Sequence, residues 1–293
     1  MKNIIIPDHE KLDKIKAAIT AGGADKLHVL ADFERTMTKC FVNGERIPSL
    51  ISVLRDGNYL TKDYAAKAQA LFDKYHPIEI DPKLSKKEKS KAMEEWWRTH
   101  YKLLIKTGLK KNDLKAILSS DKIQFRDGAL EFLDFTHQKN IPVVIISGAG
   151  VGKESISMLL EKVGRLYDNI HIVSNRFIWD KNGRAIGVRE PIIHVFNKDE
   201  MAIQKFPFYS QIKGRKNVIL LGDTLEDLDM IHGFDYENLL SIGFLNEEVK
   251  ESLPFYKKVY DVVITNDGDM NFVNELVHEC IKGHQASDDI KQK

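Results

Sequence analysis

Five short runs constrain the fold of this chain more than any other feature: "LHVLADF" (27–33), "IPVVIISG" (141–148), "NIHIVSN" (169–175), "NVILLGD" (217–223) and "DVVITND" (261–267). Their apolar residues are nearly continuous rather than alternating, which predicts strands covered on both faces. Each run stops at a polar residue. Between them lie helix-like stretches. "DGALEFLDFTHQKN" has apolar residues at 129, 130, 132, 133 and 135, and "KESISMLLEKVG" closes on Gly164 as a C-cap. Strands alternating with helices predict an α/β fold built on an open parallel sheet. Such sheets bind ligands beyond the carboxyl ends of their strands. That rule gathers Asp32, Ser147, Asn175, Asp223 and Asp267 along one edge.

The interval from about 45 to 120 is different. It carries helical spacing, as in Tyr64, Ala68, Leu71 and Tyr75, with no strong strand between its segments. It predicts a mainly helical cap (46–119) inserted after the first strand of a discontinuous core (1–45 and 120–283), with a disordered tail over 284–293. Within the core, Asn182-Gly183 between β-prone flanks predicts a hairpin. The "KLSKKEKSK" run reads as a solvated helix face.

Composition sets the outer limits. A net charge of +1 across 293 residues gives no field for a nucleic-acid polymer or an acidic membrane surface. The N-terminal apolar run breaks at Pro7-Asp8, too early for a signal peptide, and no stretch approaches a spanning helix. Cys40 and Cys280, the two cysteines, fit a reducing compartment. A cytoplasmic protein acting on a small molecule is expected.

The polar strand ends suggest phosphoryl chemistry. Asp32 is a candidate nucleophile, able to form an aspartyl-phosphate. Glu34, two residues on and therefore on the same face of an extended chain, is a candidate acid–base group. Thr36 and Ser147, with the backbone N–H groups of "SGAG" including that of Gly148, are placed to bind phosphate oxygens. Lys198 in "HVFNKDE" suits developing negative charge. Asp223 and Asp227 in "GDTLED" suit a hard cation such as Mg²⁺. Read only as local structure, "GDTLEDLDM" is a helix start with Asp223 as N-cap and Glu226 completing a capping box.

Taken in order, "DFERT", "IISG", "NK" and "GDTLED" resemble the four motifs of the haloacid dehalogenase (HAD) superfamily. "KYHPIEIDPKLSKKEK", "EEWWRTH", "IPVVIISGAGVG", "IVSN", "HVFNK" and "ILLGDTLEDLDM" narrow the resemblance to the cytosolic 5′-nucleotidase III (pyrimidine 5′-nucleotidase) family, over roughly residues 25–275. That resemblance implies a HAD-type Rossmann-like core and Mg²⁺-dependent hydrolysis of nucleoside 5′-monophosphates. It implies Asp32 as nucleophile and metal ligand, and Asp223 as the second metal carboxylate. Glu34 would give its main-chain carbonyl to the metal and its side chain to acid–base work. Ser147 and Lys198 would hold the phosphoryl group, with Asn175 and Asp227 supporting from behind. In the cap it implies that Glu79 contacts base or sugar and that Trp97 stacks on the base. Tryptophan at 97 is similar to the branch accepting 7-methylguanosine monophosphate. Ile51 and Ser52 depart from the more polar or aromatic pair usual beside the base. Trp96, Trp97 and His100 also fit as plain cap core.

One departure stands out: the family's "DFD" is "DFE" here. The extra methylene moves the carboxyl by roughly 1 Å or more, and such misplacements cost on the order of 10²-fold. One alternative follows, a nucleotide-binding protein with impaired turnover; a separate one is a phosphatase for another small phosphomonoester, with the cap aromatic merely structural.

Overall fold

The computed structural model describes residues 3–119, 122–198, 200–232 and 235–291. Its strands are β1 (Ile4–Ile5), β2 (Leu27–Ala31), β3 (Phe41–Val42), β4 (Glu45–Arg46), β5 (Val143–Ser147), β6 (Ile170–Ser174), β7 (Phe177–Trp179), β8 (Ala185–Val188), β9 (Asn217–Gly222), β10 (Asn238–Leu245) and β11 (Val262–Thr265). The helices are α1 (His9–Gly22), α2 (Leu50–Asp56), α3 (Tyr64–Ile80), α4 (Lys86–Lys106), α5 (Lys111–Leu118), α6 (Ala129–Gln138), α7 (Lys153–Lys162), α8 (Tyr209–Ile212), α9 (Val249–Val259) and α10 (Asn271–Lys291).

Seven strands form one sheet in the order β1-β11-β10-β9-β2-β5-β6, parallel except for β1 against β11. Each of the five apolar runs is a strand of this sheet. β2, β5 and β9 are buried along their whole length, as their uninterrupted apolar sequence requires. The order puts β2 between β9 and β5, with Ala31 level with Leu221 on one side and Ile145 on the other. The residues that follow these three strands therefore emerge side by side.

β10 was not among the predicted runs. Ser241 and Gly243 interrupt its apolar pattern. Ser241 is buried because Asp261 answers it: the Ser241 N–H and hydroxyl both donate to Asp261 Oδ2, at 2.9 and 2.8 Å. A satisfied polar pair of this kind breaks the sequence signal without breaking the strand.

The helices α2 to α5 occupy residues 50–118, the predicted helical interval. α4 begins with a capping box, Ser85 Oγ accepting from Glu88 N–H and Glu88 Oε2 from Ser85 N–H. Its buried face, Met93, Trp96, His100, Tyr101 and Leu104, follows helical spacing. Glu79 lies in the last turn of α3, past Pro77. The Asn182-Gly183 hairpin forms between β7 and β8, antiparallel. α10 carries the backbone as helix to Lys291, so the stretch expected as a disordered tail is helical to that point, and 292–293 lie outside the described residues. No helix among the described residues is long and apolar enough to cross a membrane.

Candidate active site

A cavity of about 560 Å³ opens where the carboxyl ends of β2, β5 and β9 meet the helices of 50–118. Its floor is built by strand ends. Asp32 follows β2, held in line by its N–H donating to Leu221 O at 2.9 Å. Ser147 ends β5, and its Oγ accepts from Ala149 N–H at 3.2 Å. Asp223 follows β9. Lys198 arrives from the other side, just past the short helical turn Val195–Asn197.

Two devices bring Lys198 in. The Asn175 side chain clamps residue 193, donating to Ile193 O and accepting from Ile193 N–H, both at 2.8 Å. Gly148 leaves room for this segment, since a Cβ there would stand 3.3 Å from His194 Cα. Lys198 is thereby buried with its Nζ on Asp32 Oδ1 and 3.1 Å from Asp227 Oδ1.

Asp227 lies behind the floor. Its Oδ2 accepts from Asp223 N–H at 3.0 Å and from Thr224 N–H and hydroxyl, both at 2.9 Å. The capping box of the Leu225–Ile231 turn is thus Thr224 with Asp227, not Asp223 with Glu226. That shift of one residue frees the Asp223 side chain for the cavity.

The electrostatics identify an unmet need for positive charge. Burial, opposed by Lys198 and reinforced by Asp227, pushes the Asp32 carboxyl up to about 7. Burial, with Asp227 and Asp32 nearby, holds Asp223 well above the usual carboxylate range. Burial alone would lower Lys198, but the Asp227 and Asp32 carboxylates outweigh it and raise its pKa. Three carboxylates around one ammonium leave an excess of negative charge, which suits a hard divalent cation. The donor set is two carboxylates with main chain. Among the described residues no cage of three or more His, Cys, Asp or Glu side chains forms a metal site.

Glu34 lines the cavity, and its Oε1 accepts from Leu50 N–H, the first residue of α2, at 2.9 Å. The side chain expected for acid–base work therefore also touches the helical segment. Thr36 is not on the cavity wall. It is buried beneath, with its hydroxyl 3.4 Å from Asp223 Oδ1.

The roof carries the other candidates. Trp97, half-buried, and Trp96, buried, both line the wall, their rings 5.4 Å apart and 12° from parallel. Glu79 lines the cavity with its Oε2 3.0 Å from His76 Nδ1. Ile51, Ser52 and His100 also reach the wall. Asp267 does not join the group. Its carboxylate accepts from Cys40 and Phe41 N–H and pairs with Arg126 at 3.0 Å.

Arg126 carried no sequence signal. Fully buried, it donates to Thr36 O at 2.8 Å and Gly268 O at 2.6 Å, and to Arg35 O, gripping the turn that follows Asp32. "QFRDG" resembles an ordinary surface turn, and only the main-chain carbonyls facing it reveal its role.

Comparison with known proteins identifies the family and the fold. The family model for pyrimidine 5′-nucleotidases (UMPH-1) matches residues 35–281. The 7-methylguanosine phosphate-specific 5′-nucleotidase A of Xenopus laevis is 34% identical over 271 residues, covering 92% of this chain and 93% of that protein. The crystal structure of cytosolic 5′-nucleotidase IIIB bound to cytidine superimposes with a TM-score of 0.89 at 26% identity, covering 98% of this chain and 96% of that one. A substrate-bound phosphoserine phosphatase, at TM-score 0.53 and 17% identity over 86% of this chain and 97% of that one, shares the fold alone. With its parallel sheet, its HAD-type strand-end motifs and this coverage, the chain belongs to the pyrimidine 5′-nucleotidase family.

Proposed function

We propose that the protein hydrolyses nucleoside 5′-monophosphates to nucleoside and phosphate through a covalent aspartyl-phosphate. The observation that carries this reading is the shared cavity: Asp32, Ser147, Lys198 and Asp223 on the floor, Trp97 and Glu79 on the roof.

Asp32 attacks phosphorus, and the P–O5′ bond breaks with its electron pair going to O5′. Glu34, protonated at that moment, gives its proton to O5′ and releases the nucleoside. As a carboxylate it then takes a proton from water, whose oxygen attacks the phosphoryl group. The bond to Asp32 breaks, leaving phosphate and restoring the aspartate. Ser147 and the N–H groups following it, including that of Gly148, bind phosphoryl oxygens, and Lys198 holds Asp32 and the developing charge. Asn175 and Asp227 keep Lys198 and residues 223–224 in position. Thr36 acts from below by holding Asp223. HAD phosphatases generally use Mg²⁺. Here Asp32, Asp223 and the main-chain carbonyl of Glu34 would hold the ion, which when bound neutralises phosphoryl charge and the Asp32–Asp223 repulsion.

The segment 46–119 acts as the cap, closing over the base and excluding water. Trp97 offers a stacking face and Glu79 a carboxylate for base or sugar. A cationic N7-methylated guanine gains from the tryptophan face by cation–π attraction, in keeping with the activity named for the Xenopus relative. The expected setting is the cytoplasm.

The test is phosphate release from UMP, CMP, GMP, AMP and 7-methyl-GMP, with Mg²⁺ and with EDTA. Turnover that needs Mg²⁺ and is highest for 7-methyl-GMP or a pyrimidine nucleotide is expected. Nucleotide binding with no release would favour the binding protein, and release confined to non-nucleotide phosphomonoesters would overturn the substrate class.

A further inference from the structure

Position 34 carries a glutamate, and the structure shows what its length reaches. The Glu34 carboxylate spans from the end of β2 to the N–H of Leu50, the first helical residue of α2. The same turn of α2 is held from a second side. Ile51 and Trp97 sit so close to Gly150 that a Cβ there would lie 3.1 Å from Ile51 Cβ and 2.6 Å from the Trp97 ring. The first turn of α2 therefore bridges the loop carrying the nucleophile and the loop following Ser147.

We infer that the backbone N–H of Leu50 is the positioning group for Glu34, so that acid–base chemistry requires α2 to be seated on the core. The inference rests on the reading of Glu34 as the acid–base group. Aspartate at 34 would stop short of Leu50 by roughly 1 Å or more, a displacement that costs on the order of 10²-fold in positioned catalysis. Glutamate here is a matched length, fitted to where α2 lies. Ser49 completes the arrangement: it caps the helix, its Oγ accepting from Ser52 N–H at 3.4 Å, and leaves the Leu50 N–H to Glu34.

Leu50 occupies the N1 position, where proline is well tolerated because the N–H there has no partner within the helix. Leu50→Pro thus deletes the N–H, and Leu50→Ala, which keeps it, controls for the lost apolar side chain. With full-length protein, Mg²⁺ and the best nucleotide of the panel, kcat of Leu50→Pro should fall on the order of 10²-fold below that of Leu50→Ala. Glu34→Asp should fall comparably, and adding Leu50→Pro to Glu34→Asp should cost little more. Inhibition by inorganic phosphate should be unchanged throughout.

Glu34→Gln gives a readout independent of whether the proline variant folds. Its amide oxygen still accepts from Leu50, so KM should stay near wild type while kcat is lost. Glu34→Asp should lose kcat and raise KM. Equal kcat for Leu50→Pro and Leu50→Ala, multiplicative effects in the double variant, equal KM for Gln and Asp at 34, or a gain of turnover in Glu34→Asp would each overturn the inference. Retained turnover in Asp32→Asn would instead overturn the catalytic reading itself.

Discussion

Lys198 shows how much of the site depends on single side chains. Its ammonium is the cation between Asp32 and Asp227 and is buried with both. Removing one partner of a buried ionic group leaves the others uncompensated, at a cost of roughly 3–5 kcal/mol. Lys198→Met should therefore lower the unfolding free energy read from urea titration by that order as well as abolish turnover, and an unchanged midpoint would contradict the ionic account. Asp32, Ser147 and Asp223 could be placed from the sequence because each closes an unbroken apolar strand run, whereas Lys198, past a helical turn, was singled out by residue type and its flanking segment alone. The direction of Glu34 was not legible, because its partner is a main-chain N–H 16 positions away. Thr36 was read as a phosphate contact, yet its hydroxyl faces Asp223 from below, a distinction that residue type cannot carry.

Among the elements, the parallel strands were the easiest to read, since burial on both faces leaves an unbroken apolar run. β10 escaped because Ser241 exchanges hydrogen bonds with Asp261, which stands between α9 and β11, a tertiary partnership with no local trace. The turn after β2 escaped for the same reason: its carbonyls are satisfied by Arg126, some 90 residues on. Arg126→Leu should leave those carbonyls unpaired and cost roughly 3–5 kcal/mol in chemical denaturation; a loss under 1 kcal/mol would refute that role. The contact between α4 and the loop after β5 is tested by Gly150→Ala. The added methyl has to displace the Trp97 ring, so nucleotide turnover should fall on the order of 10²-fold, with the melting temperature little changed. Wild-type kinetics in Gly150→Ala would mean that Trp97 does not need its seat on the core.

For the whole molecule, the sheet order is what turns separate motifs into one cavity, placing the ends of β9, β2 and β5 side by side beneath α2 and α4. Exposed pairs such as Arg98 with Glu190 and Lys86 with Asp229 join the helical segment to the core. Each contributes about 1 kcal/mol or less. Acid sensitivity belongs to this scale too. Burial lowers His28, His100 and His194 each to about 4. Between pH 6.5 and about 4 they stay neutral when folded and are protonated when unfolded. The unfolded chain then binds more protons, and stability falls as pH falls through that window. His28, remote from the cavity, isolates the effect: His28→Leu should flatten the decline by roughly 3 kcal/mol at most, read from urea midpoints between pH 7 and 4. An unchanged slope would mean that His28 is protonated in the fold. The central claim, that phosphate leaves its nucleotide by way of Asp32, is tested most directly by acid-quenching the Mg²⁺-loaded protein during turnover of a ³²P-labelled nucleoside monophosphate. The account predicts a protein-bound label that hydroxylamine releases, as it does an acyl phosphate, and that Asp32→Asn never acquires. Turnover without such a label, or a label that persists in Asp32→Asn, would contradict it.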